Sequence, residues 1–123
     1  MSADKKLLLI EDDQLLRDLY AQALEHAGFA VLSAADAQTG LDLLDEYGAE
    51  VIILDLMLPA HGGVEILHEL QSHQDWRSIP VIVLSALSRQ RVPAGLSDLG
   101  VKLYLDKAET EPAHLVAAVK RLR

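Results

Sequence analysis

The chain has 123 residues, half hydrophobic and a quarter charged, which is enough for one domain with a core and leaves no room for a second of ordinary size. Nineteen acidic against 11 basic residues give a formal charge of -8, which repels nucleic acid over most of the surface and argues against direct DNA or RNA binding. No cysteine is present, which excludes disulfides, thiol catalysis and zinc-thiolate sites.

The first six residues, Met1 to Lys6, lead into only four apolar ones, Leu7-Leu8-Leu9-Ile10. That is far short of a signal sequence or a membrane span, so a cytoplasmic protein is expected. The apolar run reads as a first strand, and it stops at Glu11-Asp12-Asp13. Leu16, Leu19, Ala23 and Ala27 then repeat at helical spacing, as a helix covering one face of a sheet requires. Asp13 stands where it would cap that helix. Ala30 to Ala34 reads as a second strand, and Ala37, Leu41 and Leu44 as a second helix. A third strand, Val51-Ile52-Ile53-Leu54, ends at the single Asp55. Gly63, Ile66, Leu67 and Leu70 give a third helix, Val81 to Leu84 a fourth strand ending at Ser85, and Val101 to Leu105 a fifth with Lys107 two residues beyond. Leu115, Val119 and Leu122 mark a last helix. Gly28, Gly48 and Gly100 each close a helical stretch just before a strand. Trp76, in the turn before the fourth strand, is expected to cover the sheet edge and to be structural.

Strict alternation of strands and helices implies right-handed crossovers, hence an α/β fold with a doubly wound five-stranded parallel sheet and helices on both faces. The third and fourth strands are apolar throughout and suit the centre; the alternating fifth suits an edge. In such sheets function lies beyond the carboxyl ends of the strands, where strand order reverses. Glu11, Asp12, Asp55, Ser85 and Lys107 all fall at those ends. Parallel neighbours lie about 4.8 Å apart, so the acids of the first and third strands would converge. Three carboxylates repel one another unless a cation intervenes, and one Mg²⁺ together with the Lys107 ammonium balances them. A carboxylate can attack phosphorus once the incoming negative charge is screened, which makes Asp55 the candidate nucleophile, with Ser85 and Lys107 as donors to phosphoryl oxygens.

The segments LLLIEDD, VIILDLMLPAHGG, IPVIVLSA and KLYLDK resemble, in content and spacing, the response-regulator receiver domain of two-component signalling, over essentially the whole chain. The resemblance implies a CheY-like, flavodoxin-like strand order 2-1-3-4-5 and a single receiver domain over residues 1–123 without an output domain. It makes Asp55 the phosphoacceptor and places Glu11, Asp12, Asp55 and the Met57 backbone carbonyl around Mg²⁺. Ser85 becomes the switch hydroxyl, Lys107 the family's lysine and Tyr104 its rotating aromatic. The donor would be a phosphohistidine on a sensor histidine kinase or histidine phosphotransfer protein, and the signal would pass to a downstream protein rather than to nucleic acid or membrane. Such a domain catalyses its own phosphorylation and dephosphorylation without being a conventional enzyme. Met57 and Leu87, at the positions that tune hydrolysis in the family, cannot orient a water by hydrogen bonding, so a long-lived phosphoryl group is expected.

The chain departs from the family in three places. Ala108 follows Lys107 where proline and a cis peptide are usual, and a cis bond there costs ~2.5–4 kcal/mol, so a trans peptide with a displaced Lys107 is expected. Pro93 falls where the fourth helix should already be running, so that helix is expected to start near it and be short. Lys102 and Leu103 replace the acids that support a salt-bridged dimer in DNA-binding members.

Plainer readings stand beside these. Glu11 and Asp12 could merely serve a helix start, Ser85 cap a turn, Lys107 lie in solvent, Tyr104 pack, and His61 be a loop residue near the site. A pseudo-receiver, never phosphorylated and acting as a constitutive docking module, is the alternative function. A flavodoxin-like cofactor binder would need a glycine- and hydroxyl-rich phosphate loop where Glu11-Asp12-Asp13 stands. An aspartate-nucleophile phosphatase would normally place a second Asp where Met57 is.

Overall fold

The two apolar runs that end in carboxylates become neighbours in the sheet. The computed structural model describes residues 5–58, 62–87 and 91–122. Its strands are β1 (Lys6–Ile10), β2 (Ala30–Ala34), β3 (Val51–Leu54), β4 (Val81–Ser85) and β5 (Val101–Asp106). They form one parallel sheet in the order β2-β1-β3-β4-β5, as expected. Strand order reverses between β1 and β3, and in such sheets ligand sites lie beyond the carboxyl ends of the strands at that point.

Alternation along each strand divides the apolar side chains between two layers. Leu8, Ile10, Ile52, Leu54, Val81 and Val83 face α2 (Ala37–Tyr47) and α3 (Gly63–Ser72), meeting Leu41, Leu44, Ile66, Leu67 and Leu70. Leu7, Leu9, Val51, Ile53, Ile82 and Leu84 face α1 (Gln14–His26) and α4 (Pro112–Arg121), meeting Tyr20, Leu24, Leu115 and Val119. β1, β3 and β4 are therefore buried on both faces, which is why their sequences do not alternate. β5 is an edge, and Lys102 on it is exposed.

The helix ends follow local chemistry. Asp13 caps α1, its carboxylate accepting the Leu16 N–H at 3.1 Å, and Asp36 caps α2 through Thr39 at 2.8 Å. Gly48 ends α2 with φ of 72°, a conformation that costs other residues free energy. Where a short helix starting near Pro93 is expected, the described residues hold a 3-10 turn, Leu96–Leu99. It is entered through Gly95 and left through Gly100, with φ of 83° and 87°, and only Leu96 in it is buried. Two left-handed glycines so close together leave no length for an α-helix.

Trp76 is half-buried against the α2 and α3 layer and stacks on His73, the rings 3.7 Å apart. It lies in the connection entering β4, at the opposite end of the sheet from the acids. Among the described residues no helix is long and apolar enough to cross a membrane.

Candidate functional site

Register carries the acids together. Ile10 pairs with Leu54, and the ladder continues one step further: the Asp55 N–H donates to the Ile10 carbonyl at 3.2 Å and the Glu11 N–H to the Ala34 carbonyl at 3.0 Å. Glu11 and Asp55 thus leave adjacent strands at the same level. Glu11, Asp12 and Asp55 each offer a carboxylate oxygen, all within 4.8 Å of one another. Glu11 and Asp55 are only 2 % and 4 % exposed, while Asp12 faces solvent. Two buried carboxylates in contact require a positive charge between them.

Lys107 supplies one. Its Nζ lies 2.6 Å from Glu11 Oε1 and 2.8 Å from Asp55 Oδ2. The Lys107–Ala108 peptide is trans, as expected without proline. Lys107 reaches both carboxylates from this trans loop. Its own amide donates to the Ser85 carbonyl at 2.9 Å, which pins the end of β5 to that of β4 and aims the side chain across the sheet.

Burial pushes the Glu11 carboxyl above its ordinary value of 4.5, against the opposing pull of the Lys107 hydrogen bond and the Asp13 amide. Burial alone would lower Lys107, but hydrogen bonds to Asp55 and Glu11 outweigh it and hold the ammonium above its ordinary 10.5. Between 4.5 and its raised folded value Glu11 binds more protons folded than unfolded. Stability from this group is therefore fully present below 4.5 and is lost as pH rises through the folded value. The Lys107 contribution is present below 10.5 and disappears as pH rises through its own raised value. Urea midpoints measured across the acid window are expected to fall with rising pH in wild type and to flatten in Glu11→Gln. An equal slope in both proteins would place the effect elsewhere.

The second Asp55 oxygen, Oδ1, accepts the Met57 N–H at 2.9 Å, and the Met57 side chain is exposed. Ser85 is fully buried at the end of β4, its Oγ accepting the Leu87 N–H at 3.3 Å. A hydroxyl that accepts in this way still has its own proton to donate. The Leu87 carbonyl in turn accepts the Tyr104 hydroxyl, so one residue, Leu87, links Ser85 through its N–H to the aromatic on β5 through its C=O. His61 lies outside the described residues.

The donor set suits a hard divalent ion: carboxylate oxygens only, one exposed, with an ammonium already balancing part of the charge. Two neighbours escaped the sequence reading. Arg17 Nη1 donates to the carbonyls of Glu11 at 2.9 Å and Asp12 at 3.3 Å. Gly63 packs so closely on the acceptor loop that a Cβ there would lie 2.4 Å from Leu56 Cα and 2.8 Å from the Asp55 carbonyl oxygen.

Residues 7–120 match the family model for the response regulator receiver domain. The chain is 35 % identical over 117 residues to response regulator RR06 of Streptococcus pneumoniae, covering 95 % of this chain and 51 % of that protein. It is 36 % identical over 118 residues to the transcriptional regulatory protein CpxR of Escherichia coli, covering 95 % of this chain and 48 % of CpxR. The chain thus spans about half the length of the curated relatives it matches. Among solved structures, the receiver domain of Francisella response regulator 1452 superposes with a TM-score of 0.84 at 30 % identity, covering 97 % of this chain and 96 % of that one.

Proposed function

Because the chain belongs to the response regulator receiver domain family of two-component systems, whose members partner with sensor kinases, we propose that Asp55 is the phosphoacceptor of a Mg²⁺-dependent transfer from a phosphohistidine donor. The observation that carries this reading is the meeting of Asp55 with Glu11, Asp12 and Lys107 at one point.

Glu11, Asp12, Asp55 and the Met57 carbonyl would hold the ion, which supplies charge screening for an anionic nucleophile approaching an anionic phosphoryl group. In the transfer an Asp55 carboxylate oxygen forms the new O–P bond while the P–N bond of the donor breaks, its electron pair going to the imidazole nitrogen. Lys107, already on Asp55 Oδ2, stands ready to donate to an incoming phosphoryl oxygen. The Ser85 hydroxyl proton is available for a second. Turning Ser85 toward the phosphoryl group releases the Leu87 amide, and the carbonyl of the same residue holds Tyr104. Rearrangement there would remodel the face made by the 3-10 turn, β5 and α4, which a downstream protein could read. Moving a population from 1:99 to 99:1 takes about 5.5 kcal/mol. Two or three charge-assisted hydrogen bonds at about 1.5–3 kcal/mol each supply it.

The test is intact-mass analysis after incubation with a small phosphodonor such as acetyl phosphate, with Mg²⁺ or with EDTA. A single phosphoryl adduct that needs Mg²⁺ is expected, and it should persist for minutes or longer because neither Met57 nor Leu87 can orient an attacking water. Decay within seconds would overturn the lifetime. No adduct under any condition would leave the docking module as the function. The DrrB receiver domain, a solved structure 28 % identical to this chain with a TM-score of 0.80, is described as BeF3-activated. Beryllofluoride is accordingly a second probe, read by amide chemical shifts.

A further inference from the structure

The loop that carries Glu11 and Asp12 must hold two carboxylates toward Asp55. Four hydrogen bonds to or from side chains shape it. Asp13 N–H donates to Glu11 Oε2 at 3.1 Å, Asp13 in turn accepts from Leu16 N–H, and Arg17 Nη1 donates to both the Glu11 and the Asp12 carbonyls. Of these donors, the Arg17 guanidinium alone reaches the backbone of both acids at once. Arg17 is half-buried in the first turns of α1, so its guanidinium is held by the helix rather than free in solvent. A planar guanidinium can place two N–H groups on two carbonyls with little loss of freedom.

We propose that Arg17 is a positioning residue for the cation site: by tying the Glu11 and Asp12 carbonyls to α1, it fixes the direction of both acidic side chains toward Asp55. The inference rests on the cation site proposed above. It predicts an effect opposite in sign to that of simple charge. Arg17 is a cation beside a cluster that is to bind a cation, so through space alone its removal would tighten metal binding. If its role is to orient the acids, its removal weakens binding, as loss of an outer partner of a metal ligand does, typically by about 10–100-fold.

The experiment is calorimetric titration of the folded protein with Mg²⁺ alone, on wild type, Arg17→Gln and Arg17→Lys, with thermal melts to establish folding. Arg17→Gln is expected to bind Mg²⁺ about tenfold more weakly than wild type. Arg17→Lys, which keeps the charge and can reach at least one carbonyl, should fall between the two. If Arg17→Gln does not fold, Arg17→Lys carries the test by the same comparison with wild type. Equal or tighter binding by the folded variant, while wild type binds Mg²⁺, overturns the role of Arg17 and leaves the cation site standing. Absence of binding by wild type overturns both.

Discussion

Asparagine in place of Asp55 is expected to remove the phosphoryl adduct entirely while leaving the protein folded and somewhat more stable. The loss follows from chemistry: an amide has no anionic oxygen to attack phosphorus, so the adduct should drop at least hundredfold, below detection by mass. The gain in stability follows from charge. Replacing Asp55 forfeits its attraction to Lys107 at 2.8 Å, roughly 6 kcal/mol at an effective dielectric constant of 20. It also removes repulsion from Glu11 and Asp12, whose oxygens lie within 4.8 Å, roughly 3.5 kcal/mol for the buried Glu11 on the same footing and less for the solvent-facing Asp12. These largely offset each other. What remains is the cost of keeping a charged carboxylate 4 % exposed, which an amide largely avoids. Asparagine still offers an acceptor to the Met57 amide, and Lys107 keeps Glu11 at 2.6 Å. The expected net is about 1–2 kcal/mol of added stability, a rise in melting temperature of roughly 5 °C. Asp55 also raises the Glu11 carboxyl through its charge, so carbon-13 titration should find Glu11 lower in the variant. A fall in melting temperature would mean that the ion pair with Lys107 outweighs the repulsion.

The same electrostatics explains what could be read from sequence. The strands were legible because apolar runs bounded by charges leave little choice: β2 and β3 end where expected, and β1, β4 and β5 differ only by Lys6, Ser85 and Asp106. The meeting of Glu11, Asp12 and Asp55 follows from β1 and β3 being neighbours, since both runs stop at an acid. Lys107 was harder. Without proline after it the loop was expected to displace it, yet the hydrogen bond to the Ser85 carbonyl fixes it, and no local sequence pattern signals such a cross-strand bond. Arg17 was invisible for a related reason: on an amphipathic helix a charged residue reads as solvated, and a guanidinium bound to carbonyls leaves no trace in side-chain types. The short helix expected near Pro93 shrinks to a tight turn because Gly95, whose left-handed φ no sequence pattern announces, brackets it together with Gly100.

Gly63 is the position where one added methyl group should do the most damage. In the sequence it looked like one small member of the apolar stripe of α3, with nothing to mark it beyond its size. Its N–H donates to the Leu56 carbonyl at 2.9 Å, bringing the start of α3 onto the loop that carries Asp55. A Cβ there meets Leu56 Cα at 2.4 Å and the Asp55 carbonyl at 2.8 Å, both backbone atoms that cannot turn aside. Either α3 moves away or the acceptor loop moves across the sheet edge. Gly63→Ala is therefore expected to lose about 3 kcal/mol, the upper end of overpacking, seen as a melting temperature roughly 10 °C lower. Its phosphorylation should slow more than stability alone explains, because a shift of about 1 Å at the nucleophile can cost about a hundredfold. Two further glycines calibrate the result. At Gly40 a Cβ meets Ile10 Cδ1 at 2.6 Å and Cγ1 at 2.9 Å, side-chain rather than backbone atoms, so Gly40→Ala should cost less than Gly63→Ala, about 1–2 kcal/mol, and slow phosphorylation less. At Gly62 nothing lies within 4 Å of an added Cβ, and Gly62→Ala should change stability by no more than about 0.5 kcal/mol. Melting temperatures and single-turnover rates for the three variants test this order. If Gly63→Ala melted with Gly62→Ala, the loop would be yielding to the methyl group, and the close packing of α3 would not be what holds Asp55 in place.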